Sequence, residues 1–82
     1  MHIVYFAWVR EAVGLNSERV DVEAGTSVTT LIDRLAAQSE RHAVAFSDHN
    51  KLRFALDQKM VRADALLDNA TELAIFPPVT GG

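Results

Sequence analysis

The apolar residues of this chain follow two periods, and the change from one to the other predicts its elements. Residues 2–8 form an apolar, β-branched and aromatic run of strand length. Residues 19–23 alternate strictly between polar and apolar side chains, which is typical of a strand with one buried face. Between them, residues 9–14 predict a short helical turn that ends at Gly14. We therefore expect the two strands to pair as a hairpin.

A longer helix is predicted after this hairpin. Thr26 or Ser27 can serve as its N-cap, because both carry a side-chain oxygen that accepts a backbone hydrogen bond. The apolar residues that follow recur at helical spacing and form one stripe that must face a core: Val28, Leu31, Ile32, Leu35 and Ala36. A second, weaker helical stretch covers residues 41–46.

The C-terminal half predicts three more strands. Residues 52–57 alternate and form a strand with one wet face, and a tight connection at Gln58-Lys59 leads into a short strand around residues 60–61. A turn at residues 66–70 precedes the last strand, at residues 71–76. A hairpin, a crossing helix and returning strands predict an α+β protein of the β-grasp (ubiquitin-like) class, with one main helix packed on one face of a mixed sheet of roughly four to five strands. The main alternative is a ferredoxin-like fold, whose second helix the chain does not provide at the required place.

Two of the predicted strands lack the polar face that a sheet covered on one side should have. The first strand carries Val4, Phe6 and Trp8 opposite Ile3, Tyr5 and Ala7, and the last carries Ala74 and Phe76 opposite Leu73 and Ile75. In a β-grasp sheet these strands are central neighbours, so the surplus apolar residues should merge into one patch that runs toward Phe76. Such a patch usually marks a binding surface. Alternatively, the stretch at 41–46 or a loop covers it, or the strands are buried on both sides.

The chain ends in Pro77-Pro78-Val79-Thr80-Gly81-Gly82. The prolines hold the backbone extended and remove two donors, and the glycines can pass through a channel too narrow for a side chain. We interpret residues 1–76 as a β-grasp domain and residues 77–82 as a flexible tail that enters another protein's active site. An ordinary frayed terminus is the alternative interpretation.

Composition limits the possible functions. The chain has 82 residues, of which 49% are apolar, so one small folded domain is expected. A net charge of −3, spread along the sequence, predicts neither nucleic-acid nor membrane binding. No apolar run approaches the roughly 20 residues that cross a bilayer, and residues 1–6 lack the features of a signal peptide, so a cytoplasmic location is expected. Cysteine is absent, so any sulfur must be carried on a modified group, such as the C-terminal carboxylate.

Other polar residues offer weaker candidates. His42, His49 and Asp48 do not have the spacing of a helical metal pair, and we expect surface polar residues and no metal site. Arg10 and Glu11 either steer a partner or cap a short helix, and the sequence does not decide between these roles.

Three segments together resemble the small, sulfur-carrying subunit of molybdopterin synthase: Phe6-Ala7 with Arg10-Glu11 and Gly14, residues 56–61, and residues 76–82. The chain departs from this family in two turns. Asp57 stands where the family usually has Asn, and residues 68–72 replace its usual Asp-Gly-Asp-Glu turn. Asn69 tolerates a positive φ better than most residues do, so we expect this second turn to be retained.

The resemblance implies a mechanism. An ATP-dependent adenylyltransferase related to ubiquitin-activating enzymes would convert the Gly82 carboxylate to an acyl-adenylate, and a sulfur donor would replace AMP to give a thiocarboxylate. The tail would then enter the large subunit, in a heterotetramer of two small and two large subunits. There its sulfur would pass to a cyclic pyranopterin precursor, and two such transfers would build the molybdopterin dithiolene. No bound cofactor is expected on this chain.

The resemblance also assigns roles to residues. Gly82 would carry the sulfur and Gly81 would let the tip through, while the other tail residues would line and aim the tail: Pro77, Pro78, Val79 and Thr80. Phe6, Met60 and Phe76 would anchor either partner, and the acid, base and pterin-binding groups would lie on the large subunit. Three alternatives stay open: a sulfur carrier for thiamine synthesis or tRNA thiolation, a ubiquitin-like protein modifier, and a binding domain with an inert tail.

Overall fold

A computed structural model describes residues 1–78 and shows one mixed sheet with helices. The strands are β1 (His2–Tyr5), β2 (Ser17–Arg19), β3 (Arg53–Leu56), β4 (Lys59–Val61) and β5 (Glu72–Phe76). The helices are α1 (Ala7–Val13), α2 (Val28–Ala36) and α3 (Glu40–Ala45), and a 3-10 turn covers His49–Lys51. The predicted α+β arrangement is confirmed, with α2 as the longest helix among residues 1–78.

The strand order is β2-β1-β5-β3-β4. β1 and β5 are parallel neighbours, and the remaining pairs are antiparallel. Because parallel strands end at the same edge, the backbone after Tyr5 and the backbone after Phe76 leave the sheet side by side. The adjacency of the first and last strands, expected from the sequence, is confirmed.

The core lies between one face of the sheet and the helices. Ile3 and Tyr5 of β1 and Leu73 and Ile75 of β5 are at most 1% exposed. The predicted stripe of α2 packs against them, although Ala36 at its end is only partly buried. Ser27, one of the two expected N-caps, accepts a hydrogen bond from the Thr30 backbone N–H at 3.1 Å and begins this helix.

The first strand is shorter than predicted. It ends at Tyr5, Phe6 serves as the N-cap of α1, and Ala7 takes a positive φ of 52°. Ala7 and Trp8 therefore belong to a helix, and their assignment to a strand was wrong. Alternation did not reveal this ending, because apolar residues continue through the reversal. Phe6 still donates its N–H to the carbonyl of Ile75 at 3.1 Å, so it remains beside β5.

The second strand lies earlier than predicted, at Ser17–Arg19 instead of residues 19–23. Its register pairs Arg19 with His2, so the residues after Arg19 run past the beginning of β1. The Val20 N–H donates to the Met1 carbonyl at 3.0 Å, and residues 21–23 continue outside the strand. The apolar residues at 20 and 22 nevertheless pack against the core.

The C-terminal end of α1 shows whether Arg10 and Glu11 cap this helix, which the sequence left open. Gly14 has a φ of 87° and closes the helix, as expected. The Arg41 guanidinium donates to the carbonyls of Glu11 and Ala12 at 2.9 and 3.0 Å. Arg41 therefore caps this helix from α3, and the exposed side chains of Arg10 and Glu11 are not needed for that task.

His42 is buried, so its interpretation as a surface residue was wrong. It is 6% exposed, and its Nε2 lies 2.7 Å from Glu18 Oε2. The same oxygen accepts a hydrogen bond of 2.7 Å from the Tyr5 hydroxyl, and Ser39 Oγ lies 2.7 Å from His42 Nδ1. Burial, then the hydrogen bond to Glu18 and its negative charge, raise the pKa of the Tyr5 hydroxyl. This chain of polar groups connects α3 to β1 and β2.

The β3–β4 hairpin turns at Asp57 and Gln58, whose φ values of 47° and 71° are those of a two-residue type I′ loop. The Asp57 carboxylate accepts hydrogen bonds of 3.0 Å from the Thr71 N–H, the Thr71 hydroxyl and the Glu72 N–H. Asp57 thereby joins the hairpin to the start of β5. In the turn before β5 the positive φ is that of Asp68 (44°), so the tolerance of Asn69 for this conformation is not needed there.

Asp57→Asn should reduce the acid sensitivity of folding. The amide of Glu72, then the amide and hydroxyl of Thr71, hold the pKa of the Asp57 carboxyl below its usual range. The unfolded chain therefore takes up this proton first, and the free energy of unfolding falls as pH drops from about 4 through the lowered pKa. Urea unfolding at neutral and acidic pH should show a shallower loss for Asp57→Asn than for the wild type. Asp64→Asn is the control at an exposed site, and equal slopes for Asp57→Asn and the wild type would contradict the prediction.

Tyr5→Phe should lower the free energy of unfolding by about 1–2 kcal/mol, because it removes one hydrogen bond to a charged, partly buried acceptor. It should also reduce the decline in the free energy of unfolding at alkaline pH. The folded state holds the Tyr5 pKa above its unfolded value, so wild-type stability is retained below about pH 10 and declines as pH rises further. Chemical denaturation at neutral and alkaline pH measures both effects. A decline at alkaline pH unchanged from that of the wild type would show that Tyr5 is not the responsible group.

Candidate functional site

The face of the sheet opposite the core carries an apolar row. Register places Val4, Ala74, Ala55 and Met60 side by side across β1, β5, β3 and β4. The two alanines are 9% and 8% exposed, whereas Met60 at the end of the row is 64% exposed. The side chains in the middle of the row are therefore buried, and the side chain at the β4 edge is exposed.

The tail end of the same face is aromatic. Phe76 is paired in register with Arg53 and is partly buried, and Phe6, held beside β5 by its bond to Ile75, is 46% exposed. We call Phe6, Ala55, Met60, Ala74 and Phe76 the docking patch. The structure brings Phe6 and Phe76 together, but Met60 lies two strands from β5, at about 10 Å by the usual strand spacing.

The alternative that the second helical stretch covers this patch is wrong. α3 packs on the core side, where the ring centroids of Tyr5 and His42 are 6.5 Å apart and those of Tyr5 and Phe46 are 6.0 Å apart. The other alternative, burial on both faces, holds for the two alanines alone among the docking-patch residues. A large exposed side chain at each end gives a partner two apolar points of contact.

Cationic side chains flank the tail end of the patch. Arg53 is exposed, and its guanidinium donates to the carbonyls of Leu52 at 2.7 Å and Asn50 at 3.1 Å. Lys51 is exposed two residues before Arg53, and Arg62 is exposed directly after β4. Arg62 lies 4.0 Å from Asp64 in a solvent-exposed ion pair that contributes little to stability. This edge is therefore locally basic in a chain of net charge −3.

Pro77 and Pro78, which we call the stem, are partly buried although they lie beyond the last strand. They line a cavity of about 350 Å³ together with Trp8, Asn50 and Lys51. Val79, Thr80, Gly81 and Gly82, to which the sequence assigned the chemistry, lie outside the described residues.

Sequence reasoning did not connect Trp8 and Lys51 to the stem. Trp8 was assigned to a strand, and Lys51 lies in a 3-10 turn far from the C-terminus in sequence. The one hint in the sequence was Trp8 itself, a large aromatic residue at the end of the run that was assigned to the first strand. The association depends on the reversal at Ala7 and on the parallel pairing of β1 and β5, which are tertiary features.

The other ionisable candidates are accounted for locally. Asp48 accepts a hydrogen bond from the Asn50 N–H at 3.0 Å and caps the 3-10 turn, and His49 lies 3.7 Å from Asp33. Among residues 1–78, no three histidine or acidic side chains cluster in a way that could hold a metal ion. No helix in this part of the chain combines the length and apolar character needed to span a bilayer.

Comparison with known proteins places these features in context. The model of the ThiS family matches residues 3–82. The chain is 44% identical over 80 residues to the molybdopterin synthase sulfur carrier subunit of Escherichia coli (strain K12), covering 98% of this chain and 96% of that protein. It is 32% identical over 84 residues to the protein of the same name from Mycobacterium tuberculosis (strain ATCC 25618 / H37Rv), covering 100% and 96%.

A solved structure agrees with the fold. The crystal structure of SAMP1 from Haloferax volcanii matches with a TM-score of 0.76 and 25% identity, over 100% of this chain and 98% of that one. This likeness over the whole chain confirms the predicted ubiquitin-like β-grasp fold.

Proposed function

The chain belongs to the ThiS family, which confirms the resemblance seen in its sequence, and we propose that it is the sulfur carrier subunit of a molybdopterin synthase. One observation carries the proposal. The parallel pairing of β1 and β5 places Phe6, Phe76 and the stem at the same edge of the sheet. A protein that binds the docking patch is therefore positioned to receive the residues that follow the stem.

The reach of the tail fits an enclosed active site. Four residues follow Pro78, and an extended chain spans at most about 3.6 Å per residue, so the terminal carboxylate can lie roughly 14 Å beyond the stem. The last two of these residues lack side chains. A narrow passage in the partner can thus admit the tip and exclude a bulkier terminus.

The chemistry begins at the Gly82 carboxylate. One carboxylate oxygen attacks the α-phosphorus of ATP in the adenylyltransferase, pyrophosphate leaves, and an acyl-adenylate forms. Hydrosulfide, a sulfur nucleophile at the sulfide level, then adds to the acyl carbon, AMP departs, and loss of the S–H proton leaves a thiocarboxylate. A persulfide donor would give an acyl persulfide instead, and a thiol would have to reduce it and be oxidised to a disulfide in return. In the synthase the terminal sulfur forms a carbon–sulfur bond with the pyranopterin precursor, and a carbon–oxygen bond at the same carbon breaks so that an oxygen substituent leaves. Attack of water on the acyl carbon releases the sulfur with the product and restores the carboxylate.

The division of labour between the subunits follows from what this chain offers. It contains no cysteine, so it can carry sulfur only on a group made by modification. Its docking patch presents apolar contacts with a basic edge, and neither supplies a positioned acid and base. In this proposal the large subunit, in a heterotetramer, supplies the catalytic groups, and the same patch serves the adenylyltransferase at an earlier step.

Deletion of Gly82 should abolish sulfur transfer while leaving the melting temperature unchanged, because the folded core ends before the tail. Intact-mass measurement after incubation with ATP, an adenylyltransferase and a sulfur donor should show oxygen replaced by sulfur in the wild type alone. The deletion leaves a carboxylate on Gly81 that reaches about 3.6 Å less far, whereas Gly82→Ala keeps the length and adds a Cβ, so the pair separates loss of reach from a block in the passage. A wild-type chain that stays a carboxylate under these conditions would contradict the proposal. Thiocarboxylate that reacts only with other acceptors would favour another carrier pathway.

Met60→Asp and Phe76→Asp should each weaken binding to the large subunit by tens-fold or more, as expected for apolar anchors of an interface, roughly 2 kcal/mol or more. Isothermal titration or surface binding measures the affinity, and thermal melting tests folding. Met60→Asp should melt close to the wild type, because that side chain is 64% exposed. Val44→Asp is the control, since Val44 is 71% exposed and lies on α3, on the other side of the sheet. Equal affinities for Met60→Asp and the control would remove Met60 from the interface.

A further inference from the structure

We propose that Trp8 is a positioning residue that fixes the direction in which the stem leaves the domain, and that sulfur transfer depends on this alignment. The proposal rests on the proposed function for its kinetic consequence, but its structural part concerns the free chain alone. It assigns to α1 a task beyond core packing: one helical residue faces the stem while others hold the helix to the core.

The placement of Trp8 follows from the backbone. Phe6 bonds to Ile75 at the end of β1, and the positive φ of Ala7 begins a helix immediately afterwards. The first turn of α1 therefore starts beside the point where β5 passes into the stem. Val9 and Val13 anchor α1 in the core, at 0% and 4% exposure. The helix that carries Trp8 is thus a fixed support.

The stem has few other ways of being held. Proline has no backbone N–H, so Pro77 and Pro78 cannot donate to a neighbouring strand. They are nevertheless partly buried, and Trp8, Asn50 and Lys51 line the same cavity of about 350 Å³. Trp8 is 38% exposed, so most of its surface is covered. In the proposal, the indole packs along the proline rings across this shared cavity and so contributes to the partial burial of the three side chains.

Alignment of the stem affects the reaction through entropy. Each proline has a restricted φ, so the stem acts as a short rod whose main freedom is a pivot at the end of β5. A rod held against the indole fixes the direction in which the chain leaves Pro78. A rod free to pivot must be ordered each time the tip reacts, and misplacement of a reacting group by even about 1 Å can cost up to 10²-fold in rate.

The structural test uses the free protein. Trp8 is the only tryptophan in the sequence, so its indole proton signals are unambiguous. Nuclear Overhauser effects should connect the indole to the rings of Pro77 and Pro78. Amide relaxation at Val79 should report faster, wider motion in Trp8→Ala than in the wild type, and Trp8→Phe should retain most of the order. Leu15→Ala is the control, because Leu15, like Trp8, is a large exposed apolar residue (44%) but does not line the cavity. Absence of these contacts, or equal motion at Val79 in Trp8→Ala and wild type, would overturn the proposal.

The kinetic test measures single-turnover sulfur transfer from the thiocarboxylate form to the pyranopterin precursor over a range of large-subunit concentrations. Trp8→Ala should reduce the rate at saturation by about tenfold and leave the half-saturating concentration near that of the wild type. Trp8→Phe should recover most of the rate. If Trp8→Ala raises only the half-saturating concentration, Trp8 contacts the partner directly and the proposal is wrong; a wild-type rate also overturns it. If the wild type itself transfers no sulfur, the proposed function fails, and the measurements on the free protein still decide whether Trp8 aligns the stem.

Discussion

The parallel pairing of β1 with β5 is the constraint on which the rest of the structure depends. Four paired positions, from His2 with Glu72 to Tyr5 with Ile75, bring the beginning and the end of the domain together. Parallel neighbours need a long crossover, and here α2, α3 and the β3–β4 hairpin occupy the connection. The core residues of both strands then face α2, and everything that follows either strand emerges at one edge.

The local contacts around this pair hold its two ends without using the docking patch. Asp57 ties the hairpin to the start of β5 through Thr71 and Glu72. Tyr5, the last residue of β1, is tied through Glu18 to His42 on α3. Both contacts involve a carboxylate with several donors, which fixes geometry more strongly than a single neutral bond. The apolar side chains of the docking patch take no part in these two sets of polar contacts.

The sequence was sufficient for elements whose pattern is set locally. α2 combines a capping residue with an apolar stripe, and β5 is a continuous apolar run before two prolines, so both were predicted close to their observed positions. Elements whose ends depend on residues far away in the sequence were not predicted at their observed positions. The extent of β2 depends on where β1 begins, and the end of β1 depends on a positive φ at Ala7, a residue type that gives no warning of it. The burial of His42 could not be predicted without knowing that the Glu18 carboxylate lies 2.7 Å from both the Tyr5 hydroxyl and His42 Nε2.

The separation between the docking patch and the terminal carboxylate has a consequence for how the subunit would be recycled. The docking patch belongs to the folded strands β3, β4 and β5 and to Phe6 at the start of α1, and it keeps the same surface whether the last atom of the chain is oxygen or sulfur. On the proposed function, its binding free energy is therefore shared equally by the loaded and the spent forms, and it cannot drive their exchange. The partner can tell the loaded from the spent form only in the cavity that surrounds the terminal atom, and a spent subunit would compete with a loaded one for the same binding site. The rate of turnover would then be set by how quickly the spent subunit dissociates from that site.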